Sequence, residues 1–239
     1  PRSTQELSEL VRHCVRNNIT LIPQSGRTGL VGASVPNAEG QQGLVNLERL
    51  DGHYELDQIN RTVTCSAGLR LSELNRRLEP EGLCLPIDLG ADPCIGGMVA
   101  TNTGGARLLR YGDVRQYILG LTVVLGDNEG QVVTLGGGLR KNATGPDWKQ
   151  LFIGTGAAFG IVTDCTLGLT RLPTQRAAAL LSLEDEKALP ELLVRLERQF
   201  GSLLTALEFM SANAMNAAHV HVPSLKRPFG SDVPEMALL

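Results

Sequence analysis

A glycine-rich loop near the start of the chain constrains its fold more than any other segment. It covers residues 23–34 and directly follows the apolar residues 19–22, which predict a buried strand that ends at Pro23. Glycine permits left-handed turns and close approach to a ligand, and successive backbone N–H groups can form an anion-binding concavity. Arg27 adds a fixed charge with bidentate geometry. The loop favours a phosphate or pyrophosphate ligand, although a tight structural turn would also use Gly and Ser.

The same loop excludes two common nucleotide-binding motifs. It does not have the pattern Gly-x-Gly-x-x-Gly, and Gly-Lys-Ser/Thr occurs nowhere in the chain. A nucleotide bound here is therefore held by neither a Rossmann fingerprint nor a P-loop.

Composition narrows the class of protein. The 239 residues carry a formal net charge of -3 and are 42% hydrophobic, which suits one large or two smaller domains with a real core. The slightly acidic balance, without Lys/Arg clusters, argues against a nucleic-acid partner. No apolar run approaches the roughly 20 residues of a membrane-spanning helix.

Cysteine usage favours a reducing compartment. The five cysteines are an odd number, and none belongs to a Cys-x-x-Cys motif. Cys14, Cys65 and Cys165 lie in periodic apolar segments and are predicted to be buried free thiols.

Both ends of the sequence lack the features of natural termini. It begins at Pro1 without an initiator Met and stops at Leu239 in an apolar run. The expectation is an excised fragment, from which a targeting segment could have been lost.

Hydrophobic periodicity predicts a first subdomain that alternates strands and helices. Ser3 and Glu6 form a capping box that starts a helix ending near Asn17. Such alternation is typical of a small parallel α/β unit. The other predicted elements are strands at 43–47, 62–67 and 83–86 and a helix that starts at Ser72 and is closed by Pro80 and Gly82.

The pattern changes after Gly105. Residues 117–125 and 131–135 predict a hairpin, and 160–169 predict another strand, which together indicate an antiparallel second subdomain. From Thr174 a further α+β domain is predicted to begin, so that residues 1–173 and 174–239 are separate domains. Its predicted elements are strands at 180–183 and 203–209 and helices at 186–200 and 211–220.

Three more glycine-rich segments accompany the first loop, at residues 86–91, 95–105 and 154–162. Gly96 and Gly97 suit the start of a short helix, whose free N–H groups would face a ligand phosphate. Helix–sheet packing would explain any one of these segments alone. Together they favour an extended cofactor between two subdomains.

The motifs in these segments resemble one family. Pro23-Gln-Ser-Gly-Arg-Thr-Gly, Pro86-Ile-Asp-Leu-Gly-Ala, Ile95-Gly-Gly-Met-Val-Ala-Thr-Asn-Thr-Gly-Gly with Arg110-Tyr-Gly, and the segment 141–154 are similar to FAD-linked oxidases of the vanillyl-alcohol-oxidase (PCMH) type. The similarity is greatest to the D-lactate, glycolate and D-2-hydroxyglutarate dehydrogenase branch. It covers residues 1–173 and continues more weakly through Leu207-Glu-Phe-Met210.

The resemblance implies an α+β fold whose two subdomains bind FAD, followed by the start of a substrate (cap) domain. The implied pyrophosphate-binding residues are Pro23, Gln24, Ser25, Gly26, Arg27, Thr28, Gly29 and Ser34. The implied pyrophosphate, ribityl and isoalloxazine path contains Pro86, Leu89, Gly90, Gly96, Gly97, Ala100, Thr101, Gly104 and Gly105, with Tyr111 near the flavin. Gly160, Ile161 and Val162 would meet the adenine side or the ring edge.

The chain departs from the family pattern in two places. The family usually has Ser-Glu-Gly-Thr-Leu-Gly where this chain has residues 155–160, Thr-Gly-Ala-Ala-Phe-Gly, so a glutamate is missing from that loop. Ala143 stands where relatives tend to carry Asn. Some relatives attach FAD covalently through a histidine of the first loop; this loop has none, which implies non-covalent FAD.

The resemblance implies an FAD-dependent oxidation of a D-2-hydroxy acid of the D-lactate, glycolate or D-2-hydroxyglutarate type. The catalytic base, the cation that grips the substrate carboxylate and a metal site lie, in this branch, beyond Leu239, so no catalytic residue or metal ligand is predicted here. His219 and His221 lack a nearby third ligand. The expected electron acceptor is a quinone, an electron-transfer flavoprotein or a similar carrier; homo-oligomerisation stays open.

Two functions other than a dehydrogenase also agree with the sequence. The chain could be an FAD-holding electron-transfer subunit without its own substrate site, or a reductase of the same fold that uses NADPH. A base-bearing, His-rich continuation favours the dehydrogenase, and an early stop favours the subunit. The expected location is cytoplasmic, or membrane-peripheral for the full-length protein.

Overall fold

The structure is a computed structural model that describes residues 1–183, 185–226 and 235–238. The chain forms two compact units. The first contains Pro1–Gly104 and Asp113–Leu172, and the second contains Gly105–Gly112 and Pro173–Leu239. The second unit therefore includes a short segment that interrupts the sequence of the first.

Helix α1 (Thr4–Arg16) opens the first unit at the predicted capping box. The Ser3 hydroxyl accepts a hydrogen bond from the Glu6 N–H at 3.1 Å, which satisfies one of the N–H groups left free at a helix start. Leu7 and Val11 are buried on one face, as the helical spacing of apolar residues requires. The predicted helix is confirmed.

Strands β1 (Thr20–Gln24) and β2 (Gln42–Asn46) form a two-stranded parallel sheet. The first differs from the prediction, because it continues through Pro23, which lies opposite Val45, and is half-buried instead of buried. Proline is tolerated here because each strand of a two-stranded sheet has one edge without a ladder partner.

The main sheet has five strands in the order β3-β4-β8-β6-β7, with every neighbouring pair antiparallel. The predicted hairpin and the strand after residue 159 are confirmed. The parallel part is smaller than the sequence suggested, because β4 pairs with β3, a strand that was not predicted. The strands are β3 (Tyr54–Asp57), β4 (Thr62–Ser66), β6 (Ile118–Leu125), β7 (Val132–Gly136) and β8 (Gly160–Gly168).

Short helices and one further pair of strands complete the first unit. Gly82, with φ of 64°, ends the second helical segment as predicted, because glycine adopts this left-handed conformation without strain. The remaining elements are α2 (Leu71–Leu78), the 3-10 helices Glu79–Glu81, Val114–Tyr117 and Trp148–Phe152, α3 (Ile95–Thr101), and the paired strands β5 (Leu83–Cys84) and β9 (Thr170–Arg171).

The first unit has two hydrophobic cores. The main core joins the five-stranded sheet to α2 and α3 and includes Leu74, Met98 and Leu167, all fully buried. The second core joins α1 to the parallel strands and the far end of the main sheet, through Leu7, Val45 and Ile161 among others.

All five cysteines are buried free thiols, which confirms the prediction for Cys14, Cys65 and Cys165. Burial raises the pKa of Cys65 to about 12 and that of Cys165 well above its ordinary value, because a thiolate loses its hydration inside the core.

We therefore expect the folded protein to resist alkylation at mildly alkaline pH, since the reactive species is the thiolate. Intact-mass measurement after brief iodoacetamide treatment should show almost no labelled thiol in the folded protein and five in guanidinium chloride. Rapid labelling of Cys65 or Cys165 in the folded state would contradict the burial described above.

The second unit contains a three-stranded antiparallel sheet in the order β10-β12-β11. The strand predicted at 203–209 instead begins at Glu208, because a 3-10 turn at Gly201–Leu203 ends the preceding helix. The elements are α4 (Leu108–Tyr111), β10 (Leu180–Leu183), the 3-10 helix Glu186–Ala188, α5 (Leu189–Phe200), β11 (Glu208–Ser211), α6 (Ala212–His221) and β12 (Glu235–Leu238). Over the described ranges, no helix combines the length and apolar character needed to cross a membrane.

Candidate cofactor-binding site

The first glycine-rich loop leaves β1 with unused hydrogen-bond donors. The Gln24 side chain closes the loop by donating to the Ser34 carbonyl at 2.9 Å. Within the part of the chain that the structure describes, the backbone N–H groups of residues 25–31 donate no hydrogen bond. Arg27 has φ of 57°, a left-handed conformation in the middle of the loop. Such a run of free N–H groups suits an anion with several oxygens.

This loop lies against the start of α3. A Cβ on Gly26 would be 3.0 Å from the Cys94 nitrogen and 3.2 Å from the Pro93 Cα, so this backbone contact leaves very little room for a side chain. Burial raises the pKa of the Cys94 thiol, and the Ser25 hydroxyl partly offsets this shift. Two of the predicted segments, 23–29 and 95–105, therefore meet.

The start of α3 differs in one respect from the expectation. The Gly96 N–H was predicted to be free for a phosphate, but it donates to the Ala67 carbonyl at 2.8 Å, and the Ile95 N–H donates to Leu69 at 2.9 Å. The turn after β4 thus satisfies these donors. Among the described residues, the Gly97 N–H has no acceptor, so it is the donor of this turn that a ligand can use.

The predicted glycines divide into two groups by what surrounds them. Gly96 and Gly160 are required by internal packing: a Cβ would lie 2.6 Å from the Ala67 Cβ and 2.7 Å from the Val124 carbonyl oxygen, respectively. A Cβ on Gly29 or Gly90 would meet no atom of the described residues within 4 Å. Packing within the described part of the chain therefore does not require glycine at these two positions, which fits close approach by a ligand.

The end of α3 is held by the third glycine-rich segment. The Gly154 and Gly156 N–H groups donate to the carbonyls of Val99 at 2.9 Å and Ala100 at 2.8 Å, which satisfies two carbonyl groups at the helix end. The Thr101 hydroxyl donates to the Gly97 carbonyl at 3.0 Å. Ala100 and Thr101 are therefore fixed on a helix that is anchored at both ends.

Thr155 is a candidate that the sequence analysis did not select. Its hydroxyl is buried and, in the described structure, has no hydrogen-bond partner, which is costly unless a ligand or water supplies one. It lies between Gly154 and Gly156, and so beside the end of α3. The signal was present, because Thr155 replaces the Ser of the family motif and keeps its hydroxyl.

In the same segment, Ala157 stands where the family pattern has glycine. Ala157 has φ of 66°, a conformation that costs a residue with a Cβ about 1–2 kcal/mol. Its methyl group packs against the second core. Gly156 stands where the family has Glu and has φ of 61°, so the chain has exchanged a charged side chain for an easier turn.

The Pro86 segment is positioned by α2. The Asn75 side chain accepts from the Leu85 N–H at 2.8 Å and donates to the Leu85 carbonyl at 3.1 Å, which fixes the backbone just before Pro86. Pro86 is buried and Leu89 packs on the main core, whereas Gly90 is exposed. The two apolar side chains shape this segment from inside, and Gly90 is its accessible position.

Gly160, Ile161 and Val162 form the first part of β8. Ile161 belongs to the second core and Val162 to the main core, so both side chains are committed to packing. Only backbone atoms of these three residues are available to a ligand.

Gly104 belongs to the first unit, whereas Gly105 and Tyr111 belong to the second. In the second unit, Tyr111 ends α4, and the Arg110 guanidinium lies 5.0 Å from the centre of its ring. Over the described ranges, no group of three or more His, Cys, Asp or Glu side chains could hold a metal ion. His219 and His221 are in the last turn of α6.

These features fit the diphosphate of a dinucleotide. The loop offers a run of free N–H groups and an arginine, and the Gly97 N–H and the Thr155 hydroxyl offer further unpartnered donors. Gly29 and Gly90 leave open backbone for close approach. A lone structural turn would explain the packed glycines but not this set.

Three relatives with curated names are similar along nearly the whole chain. A probable mitochondrial D-2-hydroxyglutarate dehydrogenase of Oryza sativa subsp. indica is 38% identical over 231 residues, 95% of this chain and 40% of that protein. The mitochondrial D-2-hydroxyglutarate dehydrogenase of Danio rerio is 38% identical over 224 residues, 93% and 41% of the two chains. The D-2-hydroxyglutarate dehydrogenase of Stutzerimonas stutzeri is 34% identical over 241 residues, 100% and 50%. The chain thus spans 40% to 50% of their length.

Solved structures share the fold at lower sequence identity. An alkyldihydroxyacetonephosphate synthase superposes with a TM-score of 0.79 at 19% identity, covering 100% of this chain and 46% of that one. A variant of Phl p 4, described as a glucose oxidase, gives 0.69 at 20% identity, covering 87% and 42%. These likenesses confirm the predicted α+β fold.

The chain also matches a known protein family. A family model described as FAD binding domain matches residues 1–136, more than half of the 239 residues. This range includes the first loop, the Pro86 segment and α3. The chain therefore belongs to the FAD binding domain family, and its cofactor is FAD.

Proposed function

We propose that this chain is the FAD-binding part of a dehydrogenase that oxidises a D-2-hydroxy acid. Residues 1–173 are the FAD-binding domain, and residues 174–239 begin the substrate domain. The observation that carries the FAD site is the first loop, with its free N–H groups, packed against the start of α3. The substrate class rests on relatives named D-2-hydroxyglutarate dehydrogenase at 34% to 38% identity.

The residues of this chain bind and orient the cofactor. The N–H groups of residues 25–31 and the Arg27 guanidinium bind the pyrophosphate, and the Gly97 N–H adds a donor from α3. Gly29 and Gly90 allow the backbone to come close to the cofactor. The Thr155 hydroxyl donates a hydrogen bond to a cofactor oxygen or nitrogen. When bound, FAD supplies a flavin that accepts the hydride of the hydroxy acid.

The cofactor is proposed to be non-covalent, because the loop 23–34 contains no histidine. Acid precipitation of the purified protein should release yellow flavin into the supernatant. Flavin that stays in the pellet would show a covalent link.

The partners are proposed in two classes. The substrate is a small D-2-hydroxy acid, and the electrons pass to a quinone, an electron-transfer flavoprotein or a similar carrier. We assign no catalytic base to this chain.

The decisive experiment uses the full-length protein. The protein is mixed anaerobically with D-2-hydroxyglutarate, D-lactate or achiral glycolate, and with L-2-hydroxyglutarate or L-lactate. At least one acid of the first group should bleach the flavin absorbance, and the two L-acids should leave it unchanged. A spectrum that stays oxidised with every acid would overturn the proposed reaction while leaving FAD binding intact.

Arg27 provides a direct test of the pyrophosphate placement. Arg27→Ala should weaken FAD binding by about 1.5–3 kcal/mol, the contribution of a charge-assisted hydrogen bond. The matched control is Arg49→Ala, which removes another exposed arginine close in sequence and should leave affinity unchanged. Equal affinities for both variants, measured by flavin fluorescence titration, would show that Arg27 does not contact the cofactor.

A further inference from the structure

The Glu48 carboxylate lies between two arginines beside the proposed pyrophosphate loop. Its Oε2 is 3.6 Å from Nη2 of Arg27, and its Oε1 is 2.5 Å from Nη2 of Arg70. Glu48 directly follows Leu47, whose N–H extends the β1–β2 pairing by donating to the Gln24 carbonyl at 2.8 Å. One carboxylate is thus shared by a loop arginine and an arginine at the start of α2.

The two ion pairs are unequal. The Arg70 pair is short, and 27% of the Glu48 side chain is exposed. The Arg27 pair is long, and 61% of the Arg27 side chain is exposed, so solvent screens it strongly. Asn46 also donates to Oε2 of Glu48 at 3.3 Å. Glu48 therefore keeps two partners when Arg27 turns away, and the departure of Arg27 leaves no unpaired carboxylate.

Arg70 also fixes the surroundings of this carboxylate. Its Nη1 donates to the Asp92 carbonyl at 2.8 Å, and the Asp92 carboxylate accepts from the Ser72 N–H and hydroxyl at 2.9 and 2.8 Å. The next residues, Pro93 and Cys94, are those against which Gly26 packs. Arg70 therefore fixes Glu48 relative to residues 92–94, the segment against which the first loop packs.

We propose that Glu48 is an internal anion that competes with the cofactor for Arg27, and that Arg70 sets how strongly it competes. In the ligand-free protein Glu48 holds the Arg27 guanidinium near the loop. The pyrophosphate of FAD then replaces Glu48 as the partner of Arg27, while Arg70 keeps Glu48 neutralised. This inference rests on the proposed placement of the pyrophosphate at residues 23–29.

The charges give each variant a direction. Glu48→Gln keeps an oxygen for Arg70 and removes the competing charge, so FAD should bind about tenfold more tightly at low salt. Arg70→Gln leaves Glu48 with Arg27 as its remaining cation, so FAD should bind about tenfold more weakly. The double variant removes both the Glu48 charge and the arginine that neutralises it. Its FAD affinity should return to within about threefold of the wild-type affinity.

The experiment measures dissociation constants for FAD, and for ADP as a flavin-free probe, on the full-length apoprotein by fluorescence and calorimetric titration. Glu129→Gln is the matched control, since it also removes a carboxylate paired with an arginine, Arg16 at 2.9 Å, and should change neither constant. Thermal unfolding of each variant reports the fold independently. The ratios for FAD and ADP should agree, because the two ligands share the diphosphate.

The outcomes separate this inference from the proposed function. Tighter binding by Glu48→Gln, weaker binding by Arg70→Gln and recovery in the double variant support it. Unchanged affinities in a wild type that binds FAD overturn it and leave the proposed function standing. A loss in Arg70→Gln that Glu48→Gln does not rescue overturns it as well, since it marks a purely structural role for Arg70. Failure of the wild type to bind FAD overturns both proposals.

Discussion

Gly97→Val is expected to abolish FAD retention while leaving the fold intact. Gly97 is the third residue of α3, and among the described residues outside that helix a Cβ there would contact only the Ser25 hydroxyl, at 3.1 Å. That hydroxyl belongs to a side chain that can rotate, so the protein can accept the methyl groups. They would, however, fill the space beside the free Gly97 N–H and the first loop, where the diphosphate is proposed to lie.

The expected loss of FAD affinity is at least about a hundredfold, or roughly 2.7 kcal/mol. Flavin absorbance per protein after gel filtration measures retention, and thermal unfolding of the apoprotein measures the fold. Gly138→Val is the control, because Gly138 is exposed and a Cβ there would meet nothing within 4 Å in the part of the chain that the structure describes. Wild-type retention by Gly97→Val would mean that the diphosphate does not approach the start of α3.

Local signals were sufficient for much of the first unit. The capping box at Ser3, the stop at Gly82 and the turn between β6 and β7 each involve residues within a few positions of one another, so the sequence displays them directly. β3 was missed because Tyr54–Asp57 is four residues long and half charged, and because it becomes a strand through pairing with β4. That pairing depends on the tertiary structure and leaves no signal in the local sequence.

The glycines show where sequence reasoning stops within the site. Gly96 and Gly97 are adjacent and chemically identical, yet a Cβ added to Gly96 would lie 2.6 Å from the Ala67 Cβ, whereas a Cβ added to Gly97 would face the Ser25 hydroxyl of the first loop. The difference depends on Ala67, which is distant in sequence and is brought close by the turn after β4. Glu48 and Arg70 were missed for the same reason, since a charge pair across 22 positions leaves no periodic signal.

Gly68→Ala should destabilise the protein more than any other single-methyl addition proposed here. Gly68 is buried in the turn between β4 and α2, and a Cβ there would lie 2.5 Å from the Leu47 carbonyl oxygen and 2.6 Å from that of Leu50. Both atoms are backbone, so no side-chain rotation relieves the overlap. The Gly68 N–H also donates to the Leu50 carbonyl at 2.7 Å, which holds the two segments at this separation.

The expected loss is about 3 kcal/mol in the free energy of unfolding, the upper range for an overpacked core, measured by urea denaturation. Gly52→Ala is the control, because Gly52 is exposed and a Cβ there would meet none of the described atoms within 4 Å. It should change stability by no more than about 0.5 kcal/mol. A loss below about 1 kcal/mol for Gly68→Ala would show that the backbone at Leu47 and Leu50 can yield. It would then also weaken the case that α3 is rigidly anchored, since the neighbouring Ala67 carbonyl holds the Gly96 N–H at 2.8 Å.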